Sequence, residues 1–448
     1  MHRSVRQLLS VPTFVLTLVL VGGLVVATPS AGSAAAAPQI TAAPTTAAAA
    51  VRAAAPWRPR VGPVFNDPLG KVASQQAILR QVLAAVRHTR RGATIQMAVY
   101  SFDRADLADA LRKAHKRGVR VQIVVNRAVI SGVSRSLQKR LGRNPNRGSF
   151  LVACRGACRK KGAGGNMHVK VLAFSQTGAA RNVVISSSGN MTSKAIYRQW
   201  NDSYTVSGDA GLYGTWQKLF RQMALQRRVG PRRLTYTSSD RRFSAWFERS
   251  LASAGNRPVA TTSLARYRAS ADPVVNRIKR VSCRAPAGYG KHGRTVIRIA
   301  AYAMFETRGL ALAKTLVRKK RQGCDIAIII SVPGRTTYKK LQRAGIKLRS
   351  ADWLFAERVA EKEDGISGWG PRFYSHHKMM MVNGLYAGRP TRTVWTGSEN
   401  WSAISFANEE VVFTINSTSV YRAYLKRWRS MYHGRATHRM GMQPTYGP

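Results

Sequence analysis

Two stretches of the chain carry the same order of apolar runs and helical spacing. Thr94 to Phe102 (TIQMAVYSF) is an apolar run, Ala105 to Arg117 has apolar residues three and four apart, and Gly118 to Asn126 (GVRVQIVVN) is apolar again. Short apolar runs rich in β-branched residues and bounded by glycine predict buried strands, and the spacing between them predicts an amphipathic helix. The same order returns at Thr295–Met304 (TVIRIAAYAM), Thr307–Gln322 and Gly323–Ser331 (GCDIAIIIS), with Tyr100 matched by Tyr302 and Gly118 by Gly323. A slowly growing offset is what small loop insertions between two copies of one fold produce. Alternating strands and helices place the chain in the α/β class, as two similar domains with mostly covered, parallel or mixed sheets. Polar sequence (SLASAGNRPVATTS) interrupts the pattern, so the first domain is expected at 58–255 and the second at 270–448, with the boundary between about Ser250 and Arg277.

Each copy also carries one polar cluster. His168 and Lys170 precede Ser188 and Asn190, and His376 and Lys378 precede Ser398 and Asn400, at intervals of 20 and 22 residues from His to Ser. In extended chain, side chains alternate faces, so His168 and Lys170 project together while Val169 points away. By the same rule His376, not His377, shares a face with Lys378. The runs that follow, Val171–Phe174 and Met379–Val382, are apolar enough to be covered on both faces. A buried strand that still carries His and Lys must aim them at a cavity, because an unpaired buried ammonium is costly. Two such clusters predict one shared site.

Charge and cysteines narrow the setting. The chain has 448 residues, a prior of two to four domains at roughly 100–200 residues each. Its 73 Lys and Arg against 19 Asp and Glu give a formal charge of +54. Such a field gathers polyanions: nucleic acid, anionic lipid or anionic wall polymers. The basic clusters at Arg112–Arg120, Arg155–Lys161, Arg227–Arg233, Arg318–Arg321 and Lys426–Arg429 are spread along the chain, and each read alone is a solvated surface. Arg3 and Arg6 precede an apolar run from Leu8 to Ala27 and then small residues with cleavage-type spacing at Ala31–Ala37, the pattern of an export signal over 1–37. An uncleaved anchor is the alternative. The Ala/Thr/Pro-rich stretch at 38–57 reads as a linker. A secreted chain favours disulfides among Cys154, Cys158, Cys283 and Cys324. Of the three connectivities, Cys154–Cys158 with Cys283–Cys324 is the simplest, keeping each bridge inside one half. The spacing does not suit a zinc site.

The segments MHVKVLAFS with SSGNMT, and SHHKMMMVN with GSENWS, resemble the phospholipase D superfamily, whose signature is His-x-Lys-x4-Asp with a downstream Gly-Ser-x-Asn. The likeness runs from about Phe65 to Arg429 in both halves. Ser175 and Asn383 stand where the family has Asp, and Ser187 replaces the first Gly. The resemblance implies two phospholipase D-like α/β sandwich domains in one monomer, with the active site at their interface. It also implies an acid after each Ser-x-Asn that holds a histidine; Asp202 and Glu409 match that position, whereas Glu410 reads as a partner for surface lysines.

The chemistry implied needs no cofactor. Lys170 and Lys378, the Asn190 and Asn400 amides and the Ser188 and Ser398 hydroxyls can neutralise a phosphodiester's oxygens. One imidazole attacks phosphorus while the other protonates the leaving alcohol, and water then displaces the phosphohistidine. By resemblance the first-copy histidine is the nucleophile. The expected enzyme is a secreted phosphoric diester hydrolase acting on phospholipid head groups, with phospholipid or an anionic membrane surface as partner. A nuclease of the same superfamily is the alternative, and a non-catalytic polyanion-binding protein the third reading. Trp353, Phe355, Trp369, Phe373 and Tyr374 are expected to be mostly core.

Overall fold

The computed structural model describes residues 56–159, 165–231, 233–249, 267, 269–353, 357–359, 368–370 and 373–439. The expected export signal and nearly all of the linker lie outside the described residues, as do the side chains of Trp353, Phe355 and Trp369. Among the described residues no helix is long and apolar enough to cross a membrane.

In the first half the elements are β1 (Gly62–Phe65), α1 (Ala77–Arg87), β2 (Thr94–Val99), α2 (Ala105–Lys116), β3 (Arg120–Asn126), α3 (Gly132–Leu141), β4 (Phe150–Cys154), β5 (Lys170–Thr177), β6 (Ala180–Ser187), β7 (Asp202–Val206) and α4 (Ala210–Ala224). The second half follows with β8 (Phe243–Arg249), α5 (Pro273–Lys279), β9 (Val296–Met304), α6 (Glu306–Arg321), β10 (Asp325–Pro333), α7 (Arg335–Arg343), β11 (Lys347–Ser350), β12 (Lys378–Tyr386), β13 (Arg389–Gly397), β14 (Glu409–Asn416) and α8 (Thr418–His433). The expected helices form for the expected reason. In α2, Leu107, Ala108, Leu111 and Ala114 bury one face, while Asp106 in the first turn and Lys113, His115 and Lys116 in the last complement the helix dipole.

Seven strands in the order β1-β7-β6-β5-β2-β3-β4 make the first sheet, and β8-β14-β13-β12-β9-β10-β11 repeats that order within the second. In each, the first two strands of the strand-helix-strand unit are parallel and the His-x-Lys strand runs antiparallel beside them. Both sheets are therefore mixed. The crossing between halves comes earlier than the sequence suggests: Arg233–Thr237 and β8 already belong to the second sheet, β8 pairing with β14 as β1 pairs with β7. The polar interruption lies outside the described residues and follows strands that already belong to the second sheet, so it does not mark that sheet's start.

Among the described residues three large apolar cores result, beside a small cluster of Tyr302, Ala303, Val332 and Tyr374. One packs the outer face of the first sheet under α1, α2 and α3, and another packs the second sheet under α5, α6 and α7. The third lies between the sheets. Val171, Ala173, Trp216 and Phe220 from one half meet Met379, Met381, Phe413, Tyr424 and Trp428 from the other. Each such side chain contributes roughly 1.5–3 kcal/mol on burial, so the halves are bound by a continuous core. The disulfides are Cys154–Cys158 and Cys283–Cys324, one in each half.

Candidate active site

Where the halves meet, each His-x-Lys segment lies along the strand that follows the Ser-x-Asn of the opposite half. The His168 N–H donates to the Glu409 carbonyl at 3.1 Å, and the Glu409 N–H donates to the Asn166 carbonyl at 2.8 Å. In mirror fashion the His376 N–H donates to the Trp200 carbonyl at 2.9 Å, and Phe373–Ser375 pairs in parallel with Gln199–Trp200. Each histidine's main chain is thus held by the other half.

The surroundings of His168 and His376 correspond. Lys170 Nζ donates to the His168 carbonyl at 2.7 Å and Lys378 Nζ to the His376 carbonyl at 2.8 Å. The Tyr100 ring lies 5.4 Å from the His168 ring, and Tyr302 lies 4.8 Å from His376. The two ammoniums sit 5.5 and 5.0 Å from those same tyrosine rings. Tyr374 is buried and packs on both Tyr302 and His376, while Phe373 is half-buried. His376 therefore occupies the position equivalent to His168. His377 points away from it, as alternation requires.

The groups on the far ring nitrogens differ from the sequence expectation by one residue in each copy. His168 Nδ1 meets both oxygens of Glu410, at 2.9 and 3.0 Å, and this carboxylate also accepts from Ser398 Oγ and from Asn408 Nδ2 at 3.0 Å. His376 Nδ1 meets the Asn201 side-chain oxygen at 3.2 Å, which also accepts from Ser188 Oγ at 3.2 Å. Strand pairing fixes the equivalence: Gly397 faces Val412 and Ser187 faces Ser203, which brings Asn201 into register with Glu410. Glu409 instead forms a fully buried ion pair with Arg159, Nη2 to Oε2 at 2.7 Å. Arg159 belongs to a cluster read above as solvated surface; like Arg427, which donates to the Asn66 carbonyl, it turns inward.

Asp202 does hold a histidine, but it is His377, at 2.9 Å from Nδ1 to Oδ1. Its second oxygen accepts from Thr396 Oγ1 at 2.5 Å and Tyr424 Oη at 2.9 Å. Burial pushes this carboxyl up, but the hydrogen bonds from His377, Thr396 and Tyr424 and the His377 charge outweigh it and hold Asp202 below the ordinary carboxylate range. Burial drives the His377 imidazole down against the pull of Asp202. Burial raises Glu410 to about 7, the opposing pull of Lys170, Ser398, Asn408 and Lys378 being insufficient to cancel it. Both motif lysines therefore act on one carboxylate.

Asn190 and Asn400 are buried, and among the described residues both side-chain polar atoms of Asn190 and Oδ1 of Asn400 have no hydrogen-bond partner. Buried amides are ordinarily paired, so these two stand out. The loops bearing them dock on the ends of β2 and β9, through the bridges Phe102–Met191 and Met304–Trp401. Two glycines matter here. A Cβ at Gly397, at φ +155°, would strike the Val411 carbonyl, and a Cβ at Gly189 would come within 2.6 Å of the Asn201 side chain. In the second copy Glu399 stands at the Gly189 position and binds buried Arg308, which also donates to the Asn400 carbonyl at 2.8 Å. Ser175 supplies a brace in place of the family Asp by accepting from the Thr94 N–H at 2.8 Å. Among the described residues no three His, Cys, Asp or Glu side chains cluster to ligate a metal.

The sequence reading missed Asn201 and Glu410 as the histidine partners, and Arg159. A signal was present: laying Tyr204-Thr205-Val206 over Phe413-Thr414-Ile415 aligns Asn201 with Glu410.

No curated protein sequence matches the chain. Among solved structures, phosphatidylserine synthase from Haemophilus influenzae Rd KW20 is similar at 12% identity and a TM-score of 0.52, covering 85% of this chain and 87% of that one. Polyphosphate kinase from Porphyromonas gingivalis matches at 11% identity and a TM-score of 0.50, covering 86% of this chain, which spans about half of that protein (53%). The phospholipase D family member Nuc from Salmonella typhimurium is 22% identical over 38% of this chain and 97% of its own, at a TM-score of 0.28. The family model described as "Cardiolipin synthase, PLD-like domain" matches twice, at residues 83–224 and 291–432. These matches take in more than half of the chain and one His-x-Lys, Ser-x-Asn set each, so the protein belongs to the phospholipase D-like family, with one such domain in each half.

Proposed function

We infer that this protein cleaves phosphodiester bonds of phospholipid head groups through a covalent phosphohistidine, after export from the cell. The observation that carries the reaction class is the crossed arrangement in which each motif histidine is held by the opposite half with a motif lysine on its own carbonyl, the same motifs burying the Asn190 amide and the Asn400 Oδ1 without hydrogen-bond partners. In the first step the Nε2 lone pair of one histidine forms a bond to phosphorus, the P–O bond to the leaving alcohol breaks, and the other histidine gives that oxygen a proton. In the second step water attacks phosphorus, its proton passes to the second histidine, and the N–P bond breaks. Lys170, Lys378, Asn190 and Asn400 stabilise the charge on the non-bridging oxygens throughout.

The phospholipid assignment draws support from the family's description as cardiolipin synthase and from the fold shared with a phosphatidylserine synthase. The nuclease reading has its own observation. The net charge is +54, and the large hydrophobics exposed among the described residues are three scattered valines, Val61, Val72 and Val229. A basic surface with little to insert into a bilayer suits phosphate contacts along a nucleic acid. Parallel assays of the purified full chain in EDTA, on phosphatidylcholine, anionic phospholipid, single- and double-stranded DNA and RNA, separate the two. Lipid turnover with intact nucleic acid is expected. Cleavage of nucleic acid with inert lipid reverses the substrate assignment.

A further inference from the structure

The two disulfides sit at opposite ends of their sheets. Cys154 is the last residue of β4 and pairs with Asn126, the last of β3, whose side chain donates to Asn166 Oδ1 at 3.3 Å, two residues before His168. Cys324 directly precedes β10, and the Cys283 carbonyl accepts from the Thr295 N–H at 2.8 Å, just before β9 begins. From there β9 runs nine residues, roughly 30 Å, and only near its far end does Tyr302 reach His376. One bridge borders the site and the other is remote from it.

The bridge beside the site closes a step of four residues, and Arg159 follows it at once. Arg159 Nε donates to both Glu409 oxygens at 3.0 Å, Nη2 donates to Oε2 at 2.7 Å, and Nη1 donates to Gln222 Oε1 on α4 at 3.3 Å. The neighbours of Glu409 face the site: Asn408 Oδ1 accepts from the Asn166 N–H at 2.9 Å, and Glu410 meets His168 Nδ1. Alternation ties residues 409 and 410 together on opposite faces, so holding one side chain sets the other.

We propose that the Cys154–Cys158 loop positions the active centre, presenting Arg159 to Glu409 so that this buried pair holds Glu410 against His168. Arg159, Glu409 and the bridge are positioning groups; none touches the substrate. An enzyme built this way reaches full turnover only once the bridge has closed, which ties activity to an oxidising compartment. The inference rests on the phosphodiesterase reading above and adds the device that sets its histidine.

The test measures turnover of bis(4-nitrophenyl) phosphate by the full-length chain, beside urea unfolding. Cys154→Ser/Cys158→Ser should lower kcat roughly 10–10²-fold with KM within about threefold, the signature of a displaced reacting group. Cys283→Ser/Cys324→Ser should cost more stability and keep kcat within about twofold, an order that a purely structural role for the bridges does not produce. Arg159→Met/Glu409→Met replaces the ion pair by apolar side chains that keep the fold, and should lower kcat as the first bridge variant does, while Arg159→Lys, which keeps the charge, recovers part of the loss. If Cys154→Ser/Cys158→Ser does not fold, the methionine pair decides. Wild-type kcat in the first bridge variant or in the methionine pair, or equal losses from the two bridges, overturns the proposal while leaving the reaction standing. A wild-type chain that releases no nitrophenolate and cleaves neither lipid nor nucleic acid overturns the phosphodiesterase reading, and this inference with it.

Discussion

His168 and His376 share a backbone setting and differ in what lies behind the ring. The same inter-half hydrogen bond holds each main chain, the same lysine-to-carbonyl bond follows, and a tyrosine flanks each ring. Behind one ring is buried Glu410, behind the other Asn201. Duplicating a fold reproduces backbone register, and a single side-chain change within that register can then separate two functions. The same contrast runs through the adjacent loops, where Gly189 makes room for an amide while Glu399 ties its loop to Arg308.

The largest effect expected is on turnover. His168→Ala and His376→Ala should each lower kcat on a substrate with an unactivated leaving group by roughly 10⁴-fold, as removal of a member of a concerted set does. His377→Ala should stay within about tenfold, since that ring faces Asp202 and the edge of Phe65. Equal losses at His376 and His377 would break the equivalence of His376 with His168. Next, Arg159→Ala leaves the Glu409 carboxylate buried without its partner, which costs about 3–5 kcal/mol in urea unfolding. A loss under about 1 kcal/mol would mean that Arg159 does not anchor the strand beneath His168.

Glu410→Gln sharpens the contrast directly by making both partners amides. A fall in kcat of roughly 10²–10³-fold is expected. The same variant reports on stability. Glu410 titrates near 7 in the folded protein against an ordinary 4.5, so its contribution is fully present below about 4.5 and is lost as pH rises through 7. That loss amounts to at most roughly 3 kcal/mol. His377 has the opposite slope: its lowered value means the unfolded chain takes up the proton first, and stability falls as pH drops below about 6.5. The wild-type minus Glu410→Gln difference, followed by urea unfolding from pH 4 to 8, isolates the first effect, and a flat difference contradicts it. The smallest effect, about 2 kcal/mol, is the difference between the two bridges. Opening Cys283–Cys324, 41 residues apart, should cost about 4 kcal/mol, and opening Cys154–Cys158, 4 apart, about 2, by loop-closure entropy. Equal costs would show that strain or local structure in the reduced chain dominates.

Much of this was legible in the chain. The strand-helix-strand units, the two motif sets and the side of the strand on which His376 lies follow from periodicity alone. The one-residue displacement at Asp202/Asn201 and Glu409/Glu410 did not, for a physical reason. Glu409 and Glu410 are adjacent acids, while at 201–202 the histidine's partner is an amide beside an acid; alternation sends neighbours to opposite faces, and both faces here are buried, so charge gives no hint of which one meets the histidine. Arg159 was missed because an arginine among arginines carries no sign of its buried partner 250 residues away. The early crossing into the second sheet escaped notice because Phe243–Arg249 pairs with a strand that comes much later in the chain.

Whether the two imidazoles act in turn on one phosphorus is tested most directly by the stereochemical course of cleavage, using an isotopically chiral phosphorothioate diester of whichever class the enzyme turns over. Two successive in-line displacements, the first by histidine and the second by water, predict retention of configuration. Inversion would mean that water attacks the substrate itself, and the covalent account would not stand.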